Sequence, residues 1–587
     1  MRMLNNNGKG DITITSDLVI ESIKNLKKGK AMDSANIIAE HLKNLPSQAI
    51  NLVRHIFQNI LDEGKVPPRM KEAYKLMIPK PNKDQRVMDN YRGITISSIL
   101  LKTLESICMK LELTKLVDDR LSPMQVGFTN NRSPALASLM ITEAAAEAQF
   151  NRKPLYVTSI DARKAFDVVN HFRLKAKLHE AGTNPRWWNF LDDLYSGSTE
   201  SIRWKGIDSR NYEIKQGVKQ GSLISPQLYK LYLNDFLTGI EGSGLGLSIG
   251  NIFMGSPTCA DDVTLLTNDI HQVQPMLNAA KSYADQHRYQ LHPSKTTITT
   301  LIKPRASTNP DSPIWTIGDV SLSDTDQFTH LGLLWKEGKR RPDVENNIKK
   351  ARRSAYALLK VGLHGINGID PPAALKIIQT YVTPTLLHGL ESAVLAKEDL
   401  CKIDSFYKKL IRQILSLPNN TANEAIYIMS GTIPIEGQIH QRALGLFGNI
   451  CRLPNEHNVR LLAKRQMALN SNKLSWFSMI SELGTQYDVN TYTNLTYPID
   501  KRQWKQLIKS SVKCFWQTKL IAGASTKSTL KWMIKTTGHR PPTLAVATLC
   551  GQAENGRSRG CEGKDANRQI QNLCTSSQVL QKRKRYL

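Results

Sequence analysis

The run Cys259-Ala260-Asp261-Asp262-Val263 decides how this chain is read. Two aspartates sit there between an apolar stretch ending at Ala260 and another opening at Val263. Upstream, Leu155-Tyr156-Val157-Thr158-Ser159-Ile160 runs directly into Asp161. A strand ending in Asp, next to a strand–Asp-Asp–strand hairpin, brings three carboxylates to one sheet edge. Oxygen-rich clusters of this kind suit hard divalent cations such as Mg²⁺. Two such ions can clamp the attacking and leaving oxygens of a phosphoryl transfer. The residues therefore predict a two-metal nucleotidyl-transfer site. Taken alone, the Asp pair is better explained as a surface turn, where Asp is common.

The rest of the chain narrows the class. With 587 residues it is too long for one small core, and two to four domains are expected. The formal net charge of +28 favours an anionic polymer as partner, since each neutralised phosphate releases counterions. The 8 cysteines lie scattered, without a CxxC, which is a reduced pattern and not a disulfide framework. The start, Met1-Arg2-Met3-Leu4-Asn5, lacks the apolar core of a secretory signal, and no stretch is apolar enough to span a bilayer. The expectation is a nuclear or cytoplasmic protein that is not secreted and has no membrane partner. Lys582-Arg583-Lys584-Arg585 reads either as a nuclear address or as a solvated terminus.

Along the chain, Ala49, Leu52, Val53, Ile56, Phe57 and Ile60 repeat on one helix face, stopped by Gly64 and Pro67-Pro68. Residues 75–99 break into short apolar runs and predict a hairpin or an extended basic loop. Helices are expected around Leu100–Ile107, from Asn170, around Trp187–Leu194, through Leu228–Tyr232 and near Met276–Tyr283. This alternation is α+β. Past Trp335 a charged junction gives way to helices. Ile348, Ala351, Ala355 and Leu359 share one face there, while Lys349, Lys350, Arg352 and Arg353 lie elsewhere and can meet phosphates.

A series of segments in fixed order now carries a resemblance. They are Lys28-Gly29-Lys30-Ala31, Ile78-Pro79-Lys80-Pro81, Asn90-Tyr91-Arg92-Gly93-Ile94 and Gln125-Val126-Gly127-Phe128 with Arg132-Ser133. Then come Asp161 with Ala165-Phe166-Asp167, Gly217-Val218-Lys219-Gln220-Gly221-Ser222, Ala260-Asp261-Asp262, Leu291 with Lys295-Thr296, and Leu331-Gly332. Over about residues 25–335 the chain resembles the reverse transcriptase of non-LTR (LINE-type) retrotransposons.

The resemblance implies a right-hand polymerase of fingers, palm and thumb with a helical C-terminal region. Its expected boundaries are a helical extension over 1–65, fingers and palm over 66–335, and a helical thumb or connection over 336–455. A further helical region over 456–550 and a disordered basic tail over 551–587 complete the division. The resemblance implies that Asp161, Asp261 and Asp262 hold two Mg²⁺ ions, with Mn²⁺ as an alternative. Asp167 is read as structural. Lys80 and Arg92 are implied to grip the triphosphate, Arg with forked contacts and Lys as a point charge. Ala162, Gln220 and Gly221 are implied to border the incoming nucleotide. Phe166 would lie under its sugar and exclude a 2′-hydroxyl, and Lys295 would protonate the departing pyrophosphate as general acid. Leu331-Gly332 looks like a primer-gripping hairpin. The partners implied are an RNA template, a DNA primer or target, and deoxynucleoside triphosphates. Oligomeric state is not read from the sequence.

Three departures stand out. Cys259 replaces the Tyr or Phe usual two residues before Asp261. Gly93 replaces a frequent Pro, which implies a more flexible loop. Leu549-Cys550-Gly551-Gln552 resembles the start of a zinc knuckle, but Ala547 occupies its partner position and Cys561 and Cys574 do not restore ligand spacing, so no zinc is expected. No endonuclease candidate is found within the chain, so target cutting is expected from sequence outside it. The alternatives are a catalytically inactive nucleic-acid-binding remnant, and a group II intron-type maturase.

Overall fold

A computed structural model describes residues 12–81, 83–303, 313–322, 324–359, 362–364 and 368–530. The zinc-knuckle remnant, the expected tail over 551–587 and the basic run at 582–585 lie outside the described residues. In chain order the elements used below are α1 (Ser47–Glu63), β1 (Glu72–Pro79), β2 (Tyr91–Ser97), α2 (Ile99–Cys108) and α3 (Pro134–Phe150). Next come β3 (Leu155–Ile160), β4 (Thr199–Trp204), α4 (Ser225–Gly242), β5 (Thr258–Cys259) and β6 (Asp262–Thr267). The later ones are β7 (Gln327–His330), β8 (Leu333–Lys336), α5 (Val344–Leu359), α6 (Ile435–Cys451), α7 (Trp476–Tyr487) and α8 (Lys501–Ser525).

Two compact units divide the chain. One comprises 1–137, 156–298 and 308–325, the other 138–155, 299–307 and 326–587. The first unit is mixed α and β. Its β1 pairs antiparallel with β2 (Leu76↔Ile94) and parallel with β4 (Leu76↔Arg203). So the stretch with two candidate readings is a hairpin. Gly93 sits inside β2 opposite Met77, and not in a loop. The loop expected there is a strand, and the glycine makes room for the Lys75 side chain, since a Cβ at Gly93 would fall 2.5 Å from Lys75 Cδ. The α1 helix buries Val53, Phe57, Ile60 and Leu61 but leaves Leu52 and Ile56 of the expected face exposed, and it ends at Gly64 in the left-handed region (φ +61°), as the glycine predicts.

The second sheet carries β3 paired antiparallel with β6, which pairs in turn with β5. Val263 faces Ile160, so the same register one residue further sets Asp262 opposite Asp161.

Among its described residues the second unit is mostly helical. The α5 helix buries Val344, Ile348, Ala351 and Ala355 against Leu386, Ile403, Tyr407 and Ile411. The hairpin of β7 and β8 turns through Leu331 (φ +50°) and Gly332 (φ +79°).

Candidate active site

The aspartate turn is built by its neighbours. Ala260 adopts φ +60°, a conformation that L residues avoid. Gln125 holds it there. Its Oε1 accepts from Ala260 N at 2.8 Å and from Gly127 N at 3.0 Å, while its Nε2 donates to Ala260 O at 3.2 Å. Gly127 lies so close that a Cβ would overlap the Ala260 nitrogen. Backbone bonds from Val126 N to Thr258 O and from Thr258 N to Met124 O, both 2.9 Å, align the two segments. The Gln125-Val126-Gly127 run is therefore a clamp on the Asp261–Asp262 turn. Sequence reading placed the run in the motif series without assigning it this task.

The carboxylates themselves have few donors. Asp261 and Asp262 are open to solvent on one side, yet crowded by protein on the others. Burial pushes the Asp261 carboxyl up, with Asp161 adding to the rise and Arg92 and a local backbone N–H opposing it. Asp262 is raised to about 6 by burial first, then by the charges of Asp261 and Asp161. Two crowded aspartates raised by burial and by neighbouring negative charge, with Asp161 beside them, are a ready site for a cation. Asp161 Oδ2 accepts from Lys295 Nζ at 3.0 Å, which brings that lysine to the cluster. Among the described residues, no group of three His, Cys, Asp or Glu side chains is already assembled as a metal cage. The donors fit Mg²⁺ chemistry because all are carboxylate oxygens. Their present arrangement has Asp161 turned to Lys295.

Phe166 reaches the same region through the loop after β3. Its half-buried ring stacks on Tyr229 of α4, with centroids 4.7 Å apart and planes at 13°. The Asp261 and Asp262 charges raise the Tyr229 phenol further, after burial. The Phe166 turn is held from the glycine segment, since Val218 N bonds Phe166 O and Gly217 N bonds Val169 O, each at 2.8 Å. A Cβ on Gly217 (φ +92°) would meet Asp167 O at 2.7 Å. Asp167 itself pairs with Lys75 at 3.8 Å, consistent with a structural residue. Ala162 bridges to Leu291 beside Asp161.

Gln220 and Gly221 back onto β2. Thr95 N donates to Gln220 O at 2.7 Å, and a Cβ on Gly221 (φ +130°) would meet Thr95 O at 2.5 Å. Glu105, fully buried, accepts from Ser222 Oγ (2.8 Å) and Leu223 N (2.9 Å) and fixes the exit of this turn. Arg92 is exposed and turns its charge toward Asp261. Lys80 is less available than expected, because its Nζ donates to Asp89 O at 2.9 Å across the hairpin tip. Cys259 is half-buried, its thiol raised to about 11 by burial and the two aspartates, so it is a packing group and not a reactive thiolate.

Within the second unit, the expected basic face of α5 is partly engaged. Lys350 Nζ donates to Gly332 O at 2.6 Å, tying the helix to the β7–β8 turn, and Arg352 lies 5.9 Å from the Phe406 ring. Lys349 and Arg353 are exposed. His388 Nε2 lies 3.0 Å from Leu331 O at the same turn.

Comparison with known proteins gives this architecture its class. Residues 78–334 match the model of the family described as reverse transcriptase (RNA-dependent DNA polymerase). The chain is similar to polymerases of retrotransposable elements of the non-LTR type. It is 28% identical over 383 residues to the Pol polyprotein of the type-1 retrotransposable element R2 of Popillia japonica, covering 64% of this chain and 52% of that protein. It is 25% identical over 416 residues to the RNA-directed DNA polymerase from mobile element jockey of Drosophila funebris, covering 69% and 44%. A probable RNA-directed DNA polymerase from transposon BS of Drosophila melanogaster matches at 24% over 473 residues, covering 76% and 50%. The chain thus spans about half the length of these relatives. Among the described residues no helix is long and apolar enough to cross a membrane.

Proposed function

We propose that this chain is the RNA-directed DNA polymerase of a non-LTR retrotransposon, adding deoxynucleotides to a primer 3′-hydroxyl on an RNA template. The observation that carries the reading is the clamped turn that sets Asp261 and Asp262 at the β3–β6 edge beside Asp161. Divalent magnesium ions, or manganese in their place, bound by these carboxylates would neutralise the triphosphate and the primer oxygen as the bond is exchanged. The protein's own part is positioning. Gln125 and Gly127 keep the carboxylates aimed. Arg92, and Lys80 once released from Asp89, offer positive charge to phosphate oxygens. Phe166, braced by Tyr229, presents a flat apolar ring to the sugar and offers a 2′-hydroxyl no partner, so deoxynucleotides are preferred. Lys295, 3.0 Å from Asp161, is placed to move a proton to the leaving pyrophosphate.

In this reading the first unit supplies fingers and palm. The β7–β8 turn grips the primer, and the exposed Lys349 and Arg353 of α5, with Lys350 and Arg352 beside them, meet nucleic-acid backbone. The test is primer extension on an RNA template with Asp261→Asn as control. Extension by the natural chain and none by the variant is the expected result. Extension that survives the substitution overturns the site. RNA binding without any extension would instead identify an inactive remnant. Incorporation of single ribonucleotides by Phe166→Ala tests the sugar gate, and unchanged discrimination removes that role.

A further inference from the structure

The α8 helix lies beyond the matched polymerase domain and has no part in the site above. It runs 25 residues, Lys501–Ser525, without a single Asp or Glu. Its inner row, Trp504, Ile508, Val512 and Trp516, is buried against α6. Two glycines of α6 receive the indoles. A Cβ at Gly448 would overlap Trp504, and one at Gly437 would overlap Trp516. Trp504 Nε1 donates to Leu444 O and Trp516 Nε1 to Tyr487 Oη, both at 2.9 Å. These two ring-into-glycine contacts fix the helix's rotation as well as its position.

That fixed rotation matters because of what lies one residue away. Lys501, Lys505, Lys509 and Lys513 repeat at the same four-residue step as the buried row. Both rows follow one ridge direction and wind at the same rate, so the lysines keep a constant angle of about 100° from the packing face. They form a line about 18 Å long at a rise of 1.5 Å per residue. All four are exposed, and none forms an ion pair among the described residues. The other two outward rows are nearly neutral. One reads Arg502, Gln506, Ser510, Cys514 and Thr518. The other reads Gln503, Leu507, Ser511, Phe515 and Lys519, with Lys519 set 4.7 Å from the Trp516 ring. Charge needed only for solubility would not be gathered on one row of three.

We infer that this lysine row of α8 is a docking track for the phosphodiester backbone of single-stranded RNA. The inference rests on the polymerase reading for its choice of RNA, since a template must arrive unpaired to be copied. Lysines are point charges and the row carries no exposed aromatic for stacking, so it reads backbone and not base. A row of lysines without Arg offers point charges and not the forked contacts that read base edges in a duplex groove, which favours a single strand. Packing against α6 buries the continuous apolar row of Trp504, Ile508, Val512 and Trp516 that a membrane-surface helix would need, and leaves only Leu507 and Ile521 exposed as separate large aliphatic residues.

The experiment measures RNA binding by the full chain, without nucleotides, to an unstructured labelled RNA as salt is raised. Lys505→Gln/Lys509→Gln/Lys513→Gln should reduce the slope of log K against log salt by about 2, at about 0.7 for each lost single-strand contact. A second variant restores the charge on the outward row by adding Gln506→Lys/Ser510→Lys/Cys514→Lys to the first. The track predicts that it stays defective, whereas recovery of the natural slope shows that only net charge matters and overturns the inference. An unchanged slope in the first variant overturns it too. So does a loss confined to duplex DNA or to phosphatidylserine vesicles. Unaltered thermal unfolding of both variants establishes that the fold is intact. Primer extension by the natural chain tests the polymerase reading separately, so absence of extension together with a lost slope would sink that reading and leave the RNA track standing.

Discussion

Asp262 and Glu143 are both carboxyl groups that ionise with difficulty, and their surroundings are built in opposite ways. At the β5–β6 turn, Asp262 is raised to about 6 by burial and by the charges of Asp261 and Asp161. In the second unit, Glu143 of α3 is raised to about 7, again chiefly by burial. Asp262 is opposed by other carboxylates and opens to solvent. Glu143 is enclosed, and its oxygens accept from Ser475 Oγ at 2.9 and 3.0 Å, from Trp476 N at 2.6 Å and from Gln466 Nε2 at 3.3 Å. One carboxylate is opposed by like charges and open to solvent, as the proposed cation site requires. The other is saturated and caps the start of α7. A raised pKa thus does not separate chemistry from architecture here, whereas the supply of donors does.

The contrast breaks most sharply under substitution. Asp262→Asn should lower primer extension by about three orders of magnitude, in the range seen when charge stabilisation is removed at a transition state. Relief of carboxylate repulsion should leave its unfolding temperature unchanged or slightly higher. Glu143→Ala should do the reverse. It strands buried donors and should cost the second unit about 2–3 kcal/mol, measured by urea unfolding. If Glu143→Ala proves neutral in stability, the capping role is gone and Glu143 would need another explanation. A smaller effect sharpens the first half of the comparison. Gln125→Ala touches no reacting group but frees the turn at Ala260. It should slow extension roughly 10- to 100-fold with little change in nucleotide KM, because aim and not binding is lost. A rise in KM alone would show that the clamp serves the nucleotide.

How much of this was legible in the sequence follows from the same physics. The Asp-Asp hairpin, the β1–β2 hairpin and the α5 face were readable because each has one buried side, which writes a period of 2 or 3.6 into the residues. The α3 helix was not. It is buried from Leu136 to Ala146 on every side, so Ala, Leu, Met and Ile fill all its faces and no period appears. Glu143 in that apolar run is the one local signal, and its partners lie more than 320 positions away. The Gln125 clamp is similarly silent, because its meaning depends on Ala260, 135 residues on. Pairing of Trp504 with Gly448 and of Trp516 with Gly437 also needs the fold, since large and small residues declare no partner by themselves. The aspartates were legible only within the ordered series of motifs around them, since alone the pair reads as a surface turn. Roles for Lys295 and Arg92 were implied only through family resemblance, and their approach to the aspartates needed the fold.

The finest test of the comparison is the pH dependence of the second unit. Glu143 is fully buried, its carboxyl raised to about 7 by burial, with the Glu147 charge adding to the rise and the Trp476, Ser475 and Gln466 donors opposing it. The unfolded chain ionises this group at the ordinary glutamate value of 4.5. Between those two values the folded protein holds a proton that the unfolded chain has released. Stability must then fall as pH rises through this window, the opposite of the usual salt-bridged carboxylate. The group's contribution is fully present below the unfolded value and is lost once pH passes the folded one. The loss is on the order of 3 kcal/mol, since each tenfold change in an ionisation constant is worth about 1.4 kcal/mol. Glu143→Gln keeps an oxygen for the Trp476 amide and cannot ionise. Its stability should track the natural protein near pH 4 and exceed it near pH 8, so the difference between the two urea-unfolding profiles isolates this one proton. Parallel profiles across that range would mean that Glu143 is ionised in the folded state, with its donors strong enough to offset burial. It would then resemble a paired structural carboxylate, and the distinction from Asp262 would rest on solvent access alone.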